Sequence, residues 1–425
     1  MTRFPASVEA LALPPAARRL AGHVAAYAAS EVFAKASRLL TVVAMARCLD
    51  AGAIGVAAAA LATGEIMKAL AENGVGQRVI AAPAEDLDAT VNGARRIFWA
   101  WCIALALLQC GVAGVLYLAG GNALTAGLIA LLALEYLIMP AALVQCALAM
   151  REGKLRQTAI IAGAQNVGAN VVTALLLIVW PSPLAVVVGK LSTAPLWLVA
   201  MRRLRPWTAS AAPALPVRAF AGFVRAAVAI ELVRAARQQG DKLIIGGVLG
   251  LDALGVYFFA VSAGLGLATS FSTALSTVLF PHLSHSTDRG ADARRATLLS
   301  VAFIAPVVFA QALMAPLYVP LVFGAGWGDV APLVSILCLA AIPAVLWAVT
   351  AQYLRADGRI NQEFVRAALL AAVMTVATLA AAPYGLTAVA WTILIAATVS
   401  HAAVCLPLLI ATPKLPLRLA AATAR

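Results

Sequence analysis

Charged side chains recur at helical spacing inside an apolar stretch near the start of the chain. Glu31, Lys35 and Arg38 follow Tyr27 at steps of four, four and three residues. In an α-helix these steps place the four side chains on one stripe about 80° wide. Charges in an apolar stretch are costly unless they face a polar interior. Because Arg offers a planar fork of donors and Lys a point charge, the stripe indicates a site for a diphosphate or an acidic sugar.

Two other apolar stretches carry charges in the same way. The second stretch has Glu65, Lys68 and Glu72 on one face near its end. A stretch in the second half holds six polar residues within about 140° of arc, namely Glu231, Arg234, Arg237, Gln238, Asp241 and Lys242. The predicted cavity residues are Glu31, Lys35, Arg38, Lys68, Arg234 and Arg237, and the predicted gate residues are Asp241, Lys242 and Glu231.

Each stripe has two interpretations. In the functional one, Asp241 pairs with Arg237 at i,i+4 when the site is empty and releases it when a phosphate arrives. In the structural one, permanent ion pairs hold the helices together, or long side chains reach the membrane surface. The structural interpretation is strongest for Lys68, Glu72 and Lys190. Two helices with polar stripes, at corresponding places in the two halves, favour the functional one.

The elements that position these residues are membrane helices. Of the 425 residues, 63% are hydrophobic and 12% charged, whereas soluble domains have about 25% charged residues. Apolar segments long enough to cross a ~30 Å hydrocarbon core recur along the chain. Unpaired strands are excluded there because unsatisfied backbone groups are costly in lipid.

We therefore predict an all-α polytopic membrane protein of about twelve helices. A six-helix bundle over 1–201 and another over 226–425 are joined by a linker at 202–225. The predicted helices are 24–46, 52–71, 97–119, 123–150, 158–180, 184–201, 226–249, 254–280, 297–319, 331–354, 366–383 and 386–410.

The basic residues predict the orientation. Alternate loops, together with both termini, hold 23 of the 31 Lys and Arg residues, and the opposite loops hold only Arg47. By the positive-inside rule the basic side, including both termini, is cytoplasmic. This bias accounts for the net charge of +13 without a nucleic-acid partner. The opposite loops are short, which leaves little room for an outer-face enzyme site.

An internal repeat relates the two halves. Residues 31–64 align without gaps onto 231–264, with the pairs Gly55/Gly255 and Gly64/Gly264 among the identities. The corresponding helices run in the same direction, which predicts a parallel repeat. Two-fold repeats with a site between the halves are typical of transporters.

Other chemistry has little support. Six cysteines without a CxxC pair are interpreted as packing residues. His282 and His285 lack a nearby third ligand, so no metal is expected. The chain has no GxxxxGK[ST] run, so ATP is not the expected direct energy source, and no cofactor is expected. No cleavable signal peptide is apparent, so the first helix is expected to act as the insertion signal.

Several blocks of residues resemble polysaccharide flippases of the Wzx type, in the multidrug/oligosaccharidyl-lipid/polysaccharide exporter superfamily. The blocks lie in both halves, and 241–284 is the most specific. They are Ala46-Arg47-Cys48-Leu49 with Gly55, Glu72-Asn73-Gly74-Val75-Gly76-Gln77, Asp241 to Gly246, Leu249-Gly250, Ala253 to Tyr257, Leu279 to Ser284, Phe323-Gly324 with Trp327, and Leu354 to Arg359. Asp50 departs from the pattern, which usually has Gly there.

The resemblance implies two six-helix bundles around a central cavity that opens alternately to either side. It implies transfer of undecaprenyl-diphosphate-linked oligosaccharide to the outer leaflet of the inner membrane. The expected partners are this lipid-linked substrate, membrane lipids and polysaccharide-assembly proteins. Related peptidoglycan-precursor flippases line their cavity with basic residues of the first two helices, and Arg38 and Lys68 are the nearest positions here.

Three alternatives stay open. A multidrug exporter of the same superfamily would need an acidic, aromatic cavity for organic cations. A membrane glycan polymerase or ligase would need larger outer loops. A scaffold without transport would leave the charges in the membrane without a role.

Overall fold

The computed structural model describes residues 34–71 and 74–410, and all the regular structure in this part of the chain is helical. The first helix, α1, covers 34–48 of the described residues. The others are α2 (Ala51–Ala71), α3 (Val75–Ile80), α4 (Leu87–Leu118), α5 (Ala123–Leu132), α6 (Glu135–Ile138), α7 (Pro140–Arg151), α8 (Leu155–Val179), α9 (Pro183–Ser192), α10 (Ala194–Leu204), α11 (Ala221–Val248), α12 (Leu251–His285), α13 (Arg289–Phe323), α14 (Ala331–Leu339), α15 (Ala341–Ala356), α16 (Ile360–Ala381) and α17 (Leu386–Ile410).

The helices are those of a multi-pass membrane protein. Within the described ranges, eight helices are long and apolar enough to cross a membrane, or ten if each of two bent pairs counts as one span. Each matches a predicted helix. The other two predicted spans correspond to α1, described over only 34–48, and to α11, which carries six charged residues. Both are the helices with polar stripes.

Breaks in the helices occur where the sequence weakens them. The span formed by α5, α6 and α7 bends by 52° at Pro140, because proline lacks the N–H needed to continue the ladder. Helix α12 bends by 48° between Gly266 and Ala268. Pro195 follows the break between α9 and α10 at Thr193.

Several helices continue beyond the predicted spans. Most of residues 281–296, between the predicted helices 254–280 and 297–319, are helical, because α12 runs to His285 and α13 begins at Arg289. Helix α4 likewise begins at Leu87, ten residues before its predicted start. Hydropathy marks only the part of a helix in hydrocarbon, whereas a helix of 35 residues is about 52 Å long and extends beyond a ~30 Å core.

Apolar side chains both fill the core and cover much of the outer surface. Leu118 and Val179 are each 85% exposed and Leu313 is 82% exposed, as expected for side chains that face lipid. The largest apolar cluster joins α1 and α2 to α11–α15 and α17. Helix α2 packs against both α11 and α12, so the helices with charged stripes lie at the contact between the two halves.

Candidate transport pathway

Ion pairs hold the charged face of α2 to its own half. Lys190 of α9 lies 2.6 Å from Glu65, and Lys68 lies 3.1 Å from Glu135 of α6. Lys190, Lys68 and Arg38 are the cations whose charges act on the Glu65 carboxylate. The structure thus brings Arg38 and Lys68 into one group, and it adds Glu135, which sequence reasoning missed. No periodic signal marks Glu135, since it stands alone at the start of a four-residue helix.

Arg38 is held by its helix and not by a salt bridge. On the buried side of α1, Asn170 of α8 donates to Ser37 Oγ at 3.0 Å, and Thr41 donates to the Asn170 carbonyl at 3.0 Å. Arg38 is exposed, and its guanidinium makes no hydrogen bond or ion pair with the residues the structure describes. Its donors are therefore open to a ligand. Lys35 is partly buried, and Glu31 lies outside the described residues.

The stripe on α11 divides into three parts. Arg234 lies 3.0 Å from Glu231, whose side chain is 14% exposed against 48% for Arg234. Arg237 is exposed and has no hydrogen bond or ion pair within the described ranges. The charges nearest to it belong to Arg234 and to Glu363 of α16, and Glu363 is itself bound by Arg355 through two bonds of 2.6 and 2.7 Å. Arg237 is thus a second guanidinium with open donors.

Asp241 is bound by other groups than predicted. Tyr257 of α12, which is 2% exposed, donates its hydroxyl to Asp241 Oδ2 at 2.6 Å. Oδ1 accepts from the backbone N–H of Lys242 at 2.9 Å and lies 3.6 Å from Lys242 Nζ. The predicted Asp241–Arg237 pair was wrong for this structure, because Asp241 binds Tyr257 of α12 instead. Spacing along a helix permits a pair but does not select it over a partner on a neighbouring helix.

The two halves meet backbone to backbone near the starts of α2 and α12. A Cβ atom on Gly55 would overlap the Leu251 carbonyl oxygen, and one on Gly255 would overlap the Ala51 carbonyl oxygen. A Cβ on Gly52 would lie 2.8 Å from Asp252 Oδ1. These contacts are reciprocal between positions 200 residues apart, as a two-fold relation of the halves predicts. Only glycine permits so close an approach.

Hydrogen bonds also join the two halves near this glycine contact. Arg47 at the end of α1 donates to the carbonyls of Leu321 and Val322 at 2.9 and 3.0 Å, which belong to the last turn of α13. Trp327 Nε1 donates to the Ala46 carbonyl at 2.7 Å. A helix ends with unsatisfied carbonyls and partial negative charge, so a guanidinium suits the α13 end.

Helix α3, which follows α2 in the chain, also contacts the second half. Gly74 has a φ of 75°, and a Cβ on it would lie 2.7 Å from the Phe223 carbonyl oxygen. The Arg78 guanidinium lies 6.0 Å from the centre of the Phe223 ring, within the range of a cation–π contact. The two halves therefore contact each other near the start of α2 and again at α3.

Comparisons with known proteins agree with this architecture. A family model described as polysaccharide biosynthesis protein matches residues 44–332. A comparison with curated protein sequences gave no match.

Solved transporters share the fold at low sequence identity. The lipid II flippase MurJ in an inward closed conformation superposes with a TM-score of 0.74 at 12% identity, over 88% of this chain and 85% of that one. An inward-facing multidrug resistance MATE transporter of the MOP superfamily gives 0.65 at 13% identity, over 88% and 93%. A MOP superfamily transporter from Pyrococcus furiosus, whose binding pocket is described as having reversed polarity, gives 0.55 at 11% identity, over 89% and 95%. At these identities the similarity shows the fold alone.

Proposed function

The chain belongs to the polysaccharide biosynthesis protein family, and on this premise we propose that it moves undecaprenyl-diphosphate-linked oligosaccharide from the inner to the outer leaflet of the cytoplasmic membrane. On this proposal the chain is a membrane transporter and not an enzyme, which the fold shared with solved transporters supports. The proposed product is a surface polysaccharide such as lipopolysaccharide. Polysaccharide-assembly proteins are proposed partners, and the termini are proposed to be cytoplasmic.

One observation carries the choice of an anionic substrate. The carboxylates of Glu65, Glu135, Glu231 and Asp241 are each bound to a cation or a hydroxyl donor of the protein, whereas Arg38 and Arg237 keep exposed guanidiniums. A diphosphate binds to such open Arg donors through charge-assisted hydrogen bonds. An organic cation would meet carboxylates that are already neutralised, so the multidrug alternative is less favoured by this arrangement.

The proposed movement is alternating access between two six-helix bundles, over 1–201 and 226–425, joined by the linker at 202–225. The glycine contact would separate when the pathway opens to the outside. So would the hydrogen bonds that Arg47 and Trp327 make between the halves. Substrate must bind the two arrangements unequally to drive this change. Arg38 on α1 and Arg237 on α11 are suited to hold the diphosphate because these two helices occupy corresponding places in the two halves.

Deletion of the gene tests the transport function. We expect loss of the surface glycan and accumulation of its lipid-linked precursor on the cytoplasmic leaflet, both reversed by the wild-type gene. Lipid extraction with leaflet-specific labelling of the glycan measures both. Normal surface glycan without accumulated precursor would contradict the proposal. Normal glycan with raised sensitivity to organic cations would favour a multidrug exporter.

A further inference from the structure

A cavity of about 560 Å³ lies in the first half, apart from the charged stripes of α1 and α11. It is formed by α4, α7, the end of α10 and the beginning of the linker. The side chains that matter here are Arg95 and Trp99 of α4, Gln145 of α7, Arg202 of α10, and Trp207 of the linker. None of them belongs to the pathway described above.

The cavity is lined by hydrogen-bond donors, most of which have no acceptor among the described residues. Gln145 is 7% exposed, yet its amide makes no hydrogen bond with any described residue. Arg202 uses only Nε, which donates to the Ala141 carbonyl at 3.0 Å, and Arg95 is exposed with no bond in the same part of the structure. The indole N–H groups of Trp99 and Trp207 have no described acceptor either. Because these donors line the cavity, the arrangement suits a ligand rich in acceptor oxygens.

The wall formed by the linker is fixed and not a loose loop. Asn92 of α4 donates to the carbonyls of Ser210 and Ala212 at 3.0 and 2.8 Å, and Leu215 N–H donates to the Ala89 carbonyl at 2.9 Å. Arg205 also binds Glu152. With Lys154, Arg205 holds the pKa of the Glu152 carboxyl below its usual range. The cavity is therefore preorganised.

One side of the cavity continues into a surface that faces lipid. On α4, Trp99, Ile103 and Leu107 follow Arg95 at steps of four residues, and they are 37%, 44% and 68% exposed. A ligand bound at Arg95 therefore has an apolar track beside it. Tryptophan and arginine together are typical of the boundary between headgroups and acyl chains.

We propose that this cavity binds the phosphate of an anionic membrane phospholipid, with one acyl chain along the Trp99–Leu107 face. Two guanidiniums supply the charge, and the Gln145 amide and the indole N–H groups supply further donors to the phosphate and glycerol oxygens. Basic pockets between membrane helices on the cytoplasmic side are suited to such headgroups. A bound lipid would join α4, α7 and α10 to the linker.

Native mass spectrometry of the purified full chain with added phosphatidylglycerol tests this proposal. We expect the R95Q/R202Q variant to bind phosphatidylglycerol about tenfold more weakly than wild type, because two charged donors are lost. The matched control is R96Q/R203Q, which removes the two neighbouring exposed arginines and the same charge. This control should bind as wild type does, and phosphatidylcholine should show no difference among the three proteins.

Other ligands give different results. Displacement of phosphatidylglycerol by inorganic phosphate would indicate a free-anion site, and tighter binding of undecaprenyl phosphate would assign the cavity to the carrier lipid. Equal losses of phosphatidylglycerol binding in both double variants would show that only the net charge of the protein matters. Each of these results would overturn the proposal. The measurement needs no transport, so it is independent of the outcome of the gene deletion.

Discussion

Arg38 combines an exposed guanidinium with a backbone held firmly by Ser37 and Thr41. If it binds the diphosphate, R38A removes charge-assisted hydrogen bonds worth about 2 kcal/mol, which corresponds to about a thirtyfold loss of export. R38K should rescue export only in part, since lysine lacks the bidentate fork. Export of surface glycan, normalised to protein abundance in the membrane, measures both.

A matched control for Arg38 is R96A, another exposed arginine without a described bond. It should export normally. Full export from R38A at normal abundance would contradict the role of Arg38.

The second prediction at this scale concerns the bond between Asp241 and Tyr257. Both D241N and Y257F weaken the same charge-assisted hydrogen bond, worth about 1.5–3 kcal/mol. If the bond acts as a gate, each variant should stay in the membrane and bind lipid-linked glycan but export it poorly. The double variant should be no worse than either single one, because residues in one network are not additive.

Abundance separates this gate from a purely structural bond. A permanent structural role predicts loss of both variant proteins from the membrane. Normal abundance with normal export would leave the bond without a functional role.

At the scale of the element, α2 and α12 can approach only because Gly55 and Gly255 lack side chains. G55A would place a methyl group against the Leu251 carbonyl, so the halves must separate at this end. We expect the distance between spin labels at Ala123 and Asp329, one in each half, to lengthen. Pulsed electron paramagnetic resonance in a cysteine-free background measures it.

The control for the glycine contact is G127A, because a Cβ on Gly127 meets nothing within 4 Å. Its label distance should match that of wild type. An unchanged distance in a normally inserted G55A protein would mean that the contact does not hold the halves together.

The helices also show which features can be predicted from the sequence of a single segment. The apolar segments and their turns predicted each candidate span in the described ranges, since length and hydropathy are properties of the segment alone. The ends of α4, α12 and α13 were missed because the polar residues beyond the membrane continue the same helices. The glycine repeat was visible as an alignment of 55 with 255, but not as a contact.

For the whole molecule, the charge bias predicts the orientation. In a cysteine-free background, single cysteines at Ala123 and Asp329 should react with an impermeant reagent added to intact cells. Cysteines at Ala209 and Arg294 should react only after permeabilisation. Ala123 is chosen for labelling instead of the loop residue Gly121, because a Cβ on Gly121 would lie 2.7 Å from the Leu116 carbonyl oxygen.

Labelling of all four positions after permeabilisation is the control for reactivity. The opposite pattern in intact cells would reverse the orientation. It would also move the proposed phospholipid cavity to the outer face.

The sequence by itself determined the class of molecule, the positions of the candidate membrane spans within the described ranges and which helices carry charge. Composition and hydropathy suffice for these because each depends on neighbours along the chain. The blocks at 46–49 and 241–257 were enough to predict the family. Ala46 and Arg47 contact the 321–327 segment in the structure. The family pattern includes residues of both segments, and the contact gives a physical reason for that.

Only the tertiary structure decided which charges are neutralised and which stay open. Lys68 pairs with Glu135 and Asp241 with Tyr257, because helix rotation and packing bring those groups within reach. The same packing left Arg237 without an ion pair among the described residues and placed the linker beside α4, where it forms a wall of the cavity. Periodicity predicts the face on which a side chain stands, whereas its partner depends on which helix packs against that face.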